Sequence, residues 1–469
     1  MSHRSHIVWT FAITSIALFM TTLDNLVVTT ALPTMQRDLH ASISGLEWTV
    51  NAYTLTFAVL LMLGAALGDR LGRKRVFLVG LGIFTLGSAA AAMSPSIEWL
   101  IGARALQGVG GAIVTPLTLT ILSDAVPAER RGLALGLWGG VSGLGVALGP
   151  LVGGAVVQGL SWQWIFWLNV PIGLAAIPLG LSRLRESHGP AARLDVTGVG
   201  LITASALGLV WGLVRANSRG WTSPEIVASL IAGVVLLVVF VAWERRAREP
   251  MLPMRFFRNR AFAAANAASL LMFFGMFGSI FLLTQYLQNV QGNSPLEAGL
   301  RMLPWTGMPM IVAPIAGAVT DRIGGRPLLI AGLALQATAL AWLAAITAPD
   351  VAYIDLVPPF AIAGVGMALF FAPVATVVLG AVSPREAGKA SGANNAIREL
   401  GGVFGVAVLA SIFTHQGGYG SADLFTDGII PALWVGAAVV GVGALAAGFL
   451  PGRCGENVRI GEPALQGAE

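Results

Sequence analysis

The chain has 469 residues, of which 55% are hydrophobic and 11% charged, with a formal net charge of +5 and a mean hydropathy of +0.77. Soluble domains carry about 25% charged residues, so a soluble enzyme of two or three domains is excluded. Disorder needs low hydrophobicity and high charge, and is excluded with it.

A spanning helix takes about 20 mostly apolar residues. Fourteen stretches qualify: 8–31, 46–68, 76–94, 99–122, 132–157, 163–182, 195–214, 224–243, 261–288, 297–319, 327–347, 355–381, 389–413 and 428–450. They are long apolar runs rather than alternating strands of about 10 residues, which excludes a closed barrel. Arg4 and the run after it look like a signal peptide, but that run outlasts a signal core of about 7–15 residues. It reads as the first spanning helix. The linkers are short, the longest lying at 244–260, and none holds a soluble domain. One cysteine, Cys454, and five scattered histidines leave no internal disulfide and no metal-ligand spacing.

The positive-inside rule tests the count. With the N-terminus cytoplasmic, 22 of the 28 Lys and Arg fall in cytoplasmic segments, three (Arg37, Arg215, Arg219) fall outside, and three (Arg104, Arg301, Arg398) lie within helices. A miscounted helix would invert every later linker and erase that bias. Fourteen helices with both termini cytoplasmic are therefore expected. The basic residues do not gather on a soluble face, so nucleic acid is not an expected partner.

Asp69, Arg70, Gly72 and Arg73 follow the second helix, and Asp321, Arg322 and two glycines follow the tenth. These are either two ordinary basic loops or the trace of a duplication. Duplication predicts an all-α membrane protein of two six-helix bundles, related by an axis along the membrane normal, with two helices inserted between them. The expected divisions are 1–190, 191–250, 251–453 and a cytoplasmic tail at 454–469. In both loops the acid caps a helix end and the arginines can latch one bundle to the other.

On these residues the chain resembles the major facilitator superfamily, and more narrowly the fourteen-helix drug:proton antiporters of EmrB/QacA type. Leu23-Asp24-Asn25 through Pro33 is similar to that family's first-helix signature. Asp69-Arg70-x-Gly72-Arg73-Lys74 is similar to the superfamily loop motif, except that Ala65 stands where the family usually has Gly, with Gly64 adjacent. Arg104 to Ala112 matches on the fourth helix. Gly136, Gly145, Gly149, Pro150, Gly153 and Gly154 on the fifth match the antiporter motif at every fixed position. Trp162 to Gly173, Ser294 to Gly299 and Gly388 to Asn395 match as well. The resemblance implies export of amphipathic, often cationic, compounds driven by inward proton flow, from a multi-pass position in a bacterial inner membrane.

The residues also speak for themselves. Asp24 lies inside the first helix, where a carboxylate costs about 2.5–3.5 kcal/mol on insertion scales. It must face a cavity, pair with a base or carry a proton. Arg104 is the natural partner: at 1.5 Å rise per residue both lie roughly 8–10 Å below the same face. The pair is either a static packing element or the proton-coupling site. Glycines at 136, 145, 149 and 153 permit close backbones, and Pro150 removes a donor. Together they predict a bent, tight seam between the bundles, or ordinary glycine packing. Arg398 and Glu399, with Asn394 and Asn395 one turn earlier, form a polar stripe that is either structural or cavity-lining. A substrate cavity near the midplane is expected to draw on Asn51, Tyr53, Phe274, Met276, Gln285, Trp305 and Met308, since aromatic and Met surfaces suit promiscuous binding.

An ATP-driven pump would need Gly-x-x-x-x-Gly-Lys-Ser/Thr, and Ala390 follows Lys389 instead. No cofactor is expected, the energy coming from a proton gradient. The expected partners are the bilayer, protons and small amphipathic substrates, with the protein acting as a monomer. A dedicated exporter of one natural product and an uptake symporter stand as alternatives. A respiratory-complex subunit would string charges along the midplane, and a channel would show a filter; neither pattern occurs. The protein is not expected to be an enzyme.

Overall fold

A computed structural model describes residues 3–127, 131–189, 195–383 and 386–450. The predicted tail at 454–469 lies outside the described residues, as do the surroundings of Gly136 and the side chain of Asp321. Among the described residues there is no strand. Fourteen helices are long and apolar enough to cross a membrane. They are α1 (His3–Asp38), α2 (Ile43–Leu71), α3 (Arg73–Ala92), α4 (Ile97–Ala125) and α5 (Arg131–Gly159), then α6 (Trp164–Arg183). The inserted pair is α7 (Val196–Arg219) and α8 (Pro224–Glu244). The rest are α9 (Arg260–Asn289), α10 (Pro295–Thr320), α11 (Gly325–Ile346), α12 (Tyr353–Gly380), α13 (Ala387–Gln416) and α14 (Ala422–Gly448).

Local chemistry sets the ends. Ser42, Ser96, Ser223 and Ser421 each accept a first-turn backbone N–H of the following helix, and Asp195 does the same for α7. Ser294 and Glu297 form a reciprocal capping box at α10. Two helices expected to be continuous are broken. The tenth breaks at Gly307, because Pro309 has no N–H for the Trp305 carbonyl; the sixth breaks at Leu168, before Pro171. The first helix runs seven residues past its predicted end, through Pro33 to Asp38.

The packing repeats. In the first half α1 packs on α5, α2 on α4, and α3 on both α4 and α6. In the second half α9 packs on α13, α10 on α12, and α11 on both α12 and α14. The main pairings between the halves are α2 with α13 and α5 with α10, which the same offset of eight helices interchanges, and α1 also touches α9 and α10. The inserted α7 fills the groove beside the α2–α13 contact, where Val210 and Val214 meet Leu55, Val59, Val403 and Ala407. Next to it, α8 turns Ile231, Val234, Val235 and Val238 outward, an apolar surface suited to lipid.

The two ends of the molecule differ. At the end carrying residues 39–42, one apolar cluster runs through both halves, joining Leu26, Val50, Leu100 and Phe166 to Phe281, Leu287 and Ala298. At the end carrying Gly72, the first half keeps its own cluster of Phe57, Phe77, Leu117 and Leu184.

Candidate functional site

Asp24 is 1% exposed, and donors from two other helices enclose it. Arg104 Nη1 on α4 donates to its Oδ2. Gln107 Nε2, also on α4, donates to Oδ1 at 2.7 Å, and Asn169 Nδ2 on α6 donates to the same oxygen at 2.9 Å. The donors are themselves held. Arg104 Nη1 also donates to Gln107 Oε1 at 2.7 Å, and its Nε donates to the Thr49 carbonyl at 3.2 Å. Gln107 Nε2 reaches Ser88 Oγ at 2.9 Å. The Tyr53 ring lies 4.2 Å from the guanidinium carbon, a cation–π contact in a dry site. The Tyr53 hydroxyl donates to the Thr21 carbonyl at 3.2 Å. Five helices thus meet around one carboxylate, which accepts from Arg104, Gln107 and Asn169.

The expected pair of Asp24 and Arg104 is brought together. Gln107, Asn169 and Ser88 were not singled out as its partners. The available signal was two amides inside the quoted motifs at intramembrane positions, where polar groups cross-link helices.

The fifth-helix motif places Asp24. A Cβ on Gly149 would stand 2.8 Å from Leu26 Cβ, one on Gly153 2.6 Å from the Val27 carbonyl, and one on Gly145 against Thr22. These three glycines let α1 lie directly on α5, which turns Asp24 toward α4 and α6. Gly154 and Pro150 serve the other seam: a Cβ on Gly154 would come within 2.8 Å of Leu296, and Gly299 of α10 lies against the Pro150 carbonyl. The motif therefore builds one seam within a half and one between halves.

At the Gly72 end, Arg73 pairs with Asp69 (Nη2–Oδ1 2.7 Å) and with Asp124 at the end of α4. The segment after α6 is strapped across this pair. Arg73 N donates to the Ser187 carbonyl at 2.9 Å, Gly189 N to the Asp69 carbonyl at 3.1 Å, and Ser187 Oγ to Asp124 at 2.8 Å. Gly72 has φ +108°, a conformation glycine takes freely. Having no side chain, it cannot cap α3, and the Glu186 carboxylate accepts from Lys74 N (2.9 Å) and Arg75 N (3.3 Å) instead. Arg70 is exposed, as is Arg322 in the second copy. Gly64 compensates for Ala65, since a Cβ there would stand 2.6 Å from the Ala112 carbonyl of α4.

The residues expected to share a cavity are dispersed. Tyr53 belongs to the Asp24 centre. Phe274, Met276 and Trp305 are buried in the apolar packing around the second half, and Met308 packs against Gly364. Asn394 donates to Asn266 Oδ1 at 3.0 Å and Ser269 Oγ at 2.9 Å on α9, and Asn395 beside it is half-buried. Arg398 lies 3.7 Å from Glu399 and 4.8 Å from the Phe273 ring centre. Glu399 faces Asn25, the neighbour of Asp24, across the two halves. Gln285 accepts from the Tyr419 hydroxyl. Asn51 is fully buried and neither of its amide atoms has a partner.

Residues 14–406 match the Major Facilitator Superfamily. The chain belongs to that superfamily. It is accordingly a multi-pass membrane transporter of the bacterial inner membrane and not an enzyme. It is 35% identical to the tetracenomycin C resistance and export protein of Streptomyces glaucescens, over 94% of this chain and 83% of that one. It is 37% identical to the multidrug resistance protein Stp of Mycobacterium tuberculosis, over 86% and 75%. Among solved structures it is similar to an auto-inhibited POT family peptide transporter (TM-score 0.72, 16% identity, 97% and 98% covered). It is also similar to the xylose transporter XylE from E. coli in a partially occluded inward open conformation (TM-score 0.65, 14% identity, 97% and 100% covered). These two likenesses bear on the fold alone.

Proposed function

We propose that this transporter is a proton-coupled antiporter that exports amphipathic or cationic antibiotics and drugs, with protonation of Asp24 driving the cycle. The observation that carries the proposal is the caged carboxylate. An ionised Asp24 is acceptor-only and suits three N–H donors. A proton on either oxygen turns it into a donor facing donors. Gln107 Oε1, on the same side chain as one of those donors, already serves Arg104. Protonation therefore breaks bonds that tie α1 to α4 and α6, and so biases the bundle toward another arrangement.

The rest of the cycle follows from the packing. Residues 1–190 and 251–453 act as two bundles, joined by 191–250, that rock about the seams of α5 with α10 and α2 with α13. The charge bias puts the Gly72 end, and both termini, in the cytoplasm. The Arg73 network, expected to latch one bundle to the other, ties α2, α4 and the segment after α6 together within the first bundle. Substrate binds between the halves near Asn25, Arg398 and Glu399. The protein works as a monomer in the bilayer without a cofactor. A dedicated export role for one natural product is the second reading, favoured by relatives named for single compounds, such as the tetracenomycin C protein and a probable actinorhodin transporter of Streptomyces coelicolor.

The test is efflux of a dye and antibiotic panel from energised cells, with and without an uncoupler. Uncoupler-sensitive efflux of several cationic compounds is the expected outcome. Uncoupler-insensitive efflux would discard the proton mechanism, and efflux of a single compound would favour the second reading.

A further inference from the structure

Glu47 is a buried carboxylate that the scheme above does not use. It lies one turn into α2, at the 39–42 end, and is 2% exposed. Its Oε2 has no hydrogen-bond partner. Among the described residues no Arg, Lys or His pairs with it. One turn along the same helix is Asn51, buried with both amide atoms unpartnered. The titratable group facing Glu47 from the other half is Tyr419, in the turn between α13 and α14, whose hydroxyl is bound to Gln285 of α9. Burial first, and then the Glu47 charge, hold the Tyr419 phenol above its ordinary range. Gln285 and Asn51 are neutral, so nothing here offsets a negative charge.

Position adds to this. The same helix supplies Thr49 and Tyr53 to the Asp24 centre. Six residues separate Glu47 from Tyr53, about 9 Å of helix axis. Glu47 thus stands between the 39–42 face and Asp24. The halves meet at this end: Gln288 of α9 donates to the Thr30 carbonyl of α1 at 2.9 Å, and the apolar cluster is continuous between the halves.

We infer that Glu47 is a second proton-binding site, which takes one proton from the aqueous phase when the 39–42 face is open and must hold it for that face to close. An unpaired ionised carboxylate costs several kcal/mol to bury, so closure and protonation become one event. Opening the face returns water to Oε2 and lets the proton leave. The site rests on the proton antiport proposed above.

The test is ΔpH-driven substrate transport in proteoliposomes, measured while the pH on the 39–42 side is varied. Glu47→Gln is permanently neutral, so it is expected to close without a proton and to flatten the dependence of transport on the pH of the 39–42 side. Glu47→Asp keeps a carboxylate, and is expected to restore a pH-dependent rate with a shifted midpoint, which separates lost titration from misfolding. Tyr419→Phe is expected to move the midpoint as well. A ΔpH-dependent wild type with an unaltered Glu47→Gln profile would overturn the assignment of Glu47 alone, as would a Glu47→Asp variant as flat as Glu47→Gln. A wild type indifferent to ΔpH would overturn proton antiport itself, and this site with it.

Discussion

Asp24 and Arg104 are both nearly inaccessible, and removing either one leaves its partner's charge buried. Asp24→Asn keeps the shape and leaves a neutral amide among the donors. It is expected to abolish proton-coupled efflux while the protein stays in the membrane, measured as dye efflux against immunoblotted membrane protein. Arg104→Ala leaves a charge buried and half-paired, a loss worth about 3–5 kcal/mol in comparable sites. Asp24→Asn leaves the Arg104 guanidinium buried without a counter-charge, so a fall in melting temperature in detergent is expected for both variants. An unchanged melting temperature in both would mean that the pair adds no stability. The match in depth was legible in the sequence, because rise per residue is a constant of the helix. The roles of Gln107 and Asn169 were not, because depth says nothing about which way a side chain faces around its helix axis.

Helix α5 shows what a small-residue stripe does when two different neighbours use it. Gly145, Gly149 and Gly153 recur at intervals set by the helix period and touch α1, while Gly154 and Pro150 touch α10. Gly153→Leu drives a side chain into the backbone of α1 next to Asp24, and is expected to uncouple proton movement from efflux before it removes protein from the membrane. Comparing proton leak with drug transport in vesicles checks this; unchanged coupling would restrict the stripe to packing. At α3 the cap comes from 112 positions away in sequence, as Glu186 accepts the Lys74 N–H. Glu186→Ala is expected to cost about 1 kcal/mol, as lost caps do, seen as a lower melting temperature and faster proteolysis after α6. The Asp69–Arg73 loop was legible as a motif. The strap of residues 186–189 over it was not, since nothing in a short linker encodes where it docks.

Across the whole molecule the asymmetry between ends is the main result. The 39–42 end is closed by a shared apolar cluster and by bonds such as Leu296 N to Gln158 Oε1 at 3.3 Å. Alternating access requires this contact to part. A Gln158→Cys/Leu296→Cys pair, in a protein whose Cys454 has been replaced, is expected to cross-link readily and to stop transport until reductant is added. Transport that continues through the cross-link would rule out opening at this seam. The inserted α7 packs on α13 and α2, and α8 packs on α7; neither supplies a donor named in the Asp24 cage.

The sequence by itself determined the number of spans, the bias of charge between the two faces, the doubled loop and the rank of Asp24 among the charges. Each follows from a one-dimensional quantity: a bilayer demands a set length of apolar chain, and every crossing inverts the side on which the next linker emerges. Tertiary structure alone decided which donors surround Asp24, that Glu47 Oε2 has no partner among the described residues, and which end is closed. Those depend on how each helix is rotated about its axis against its neighbours. Small residues meeting across seams fix that rotation, and hydropathy does not record it.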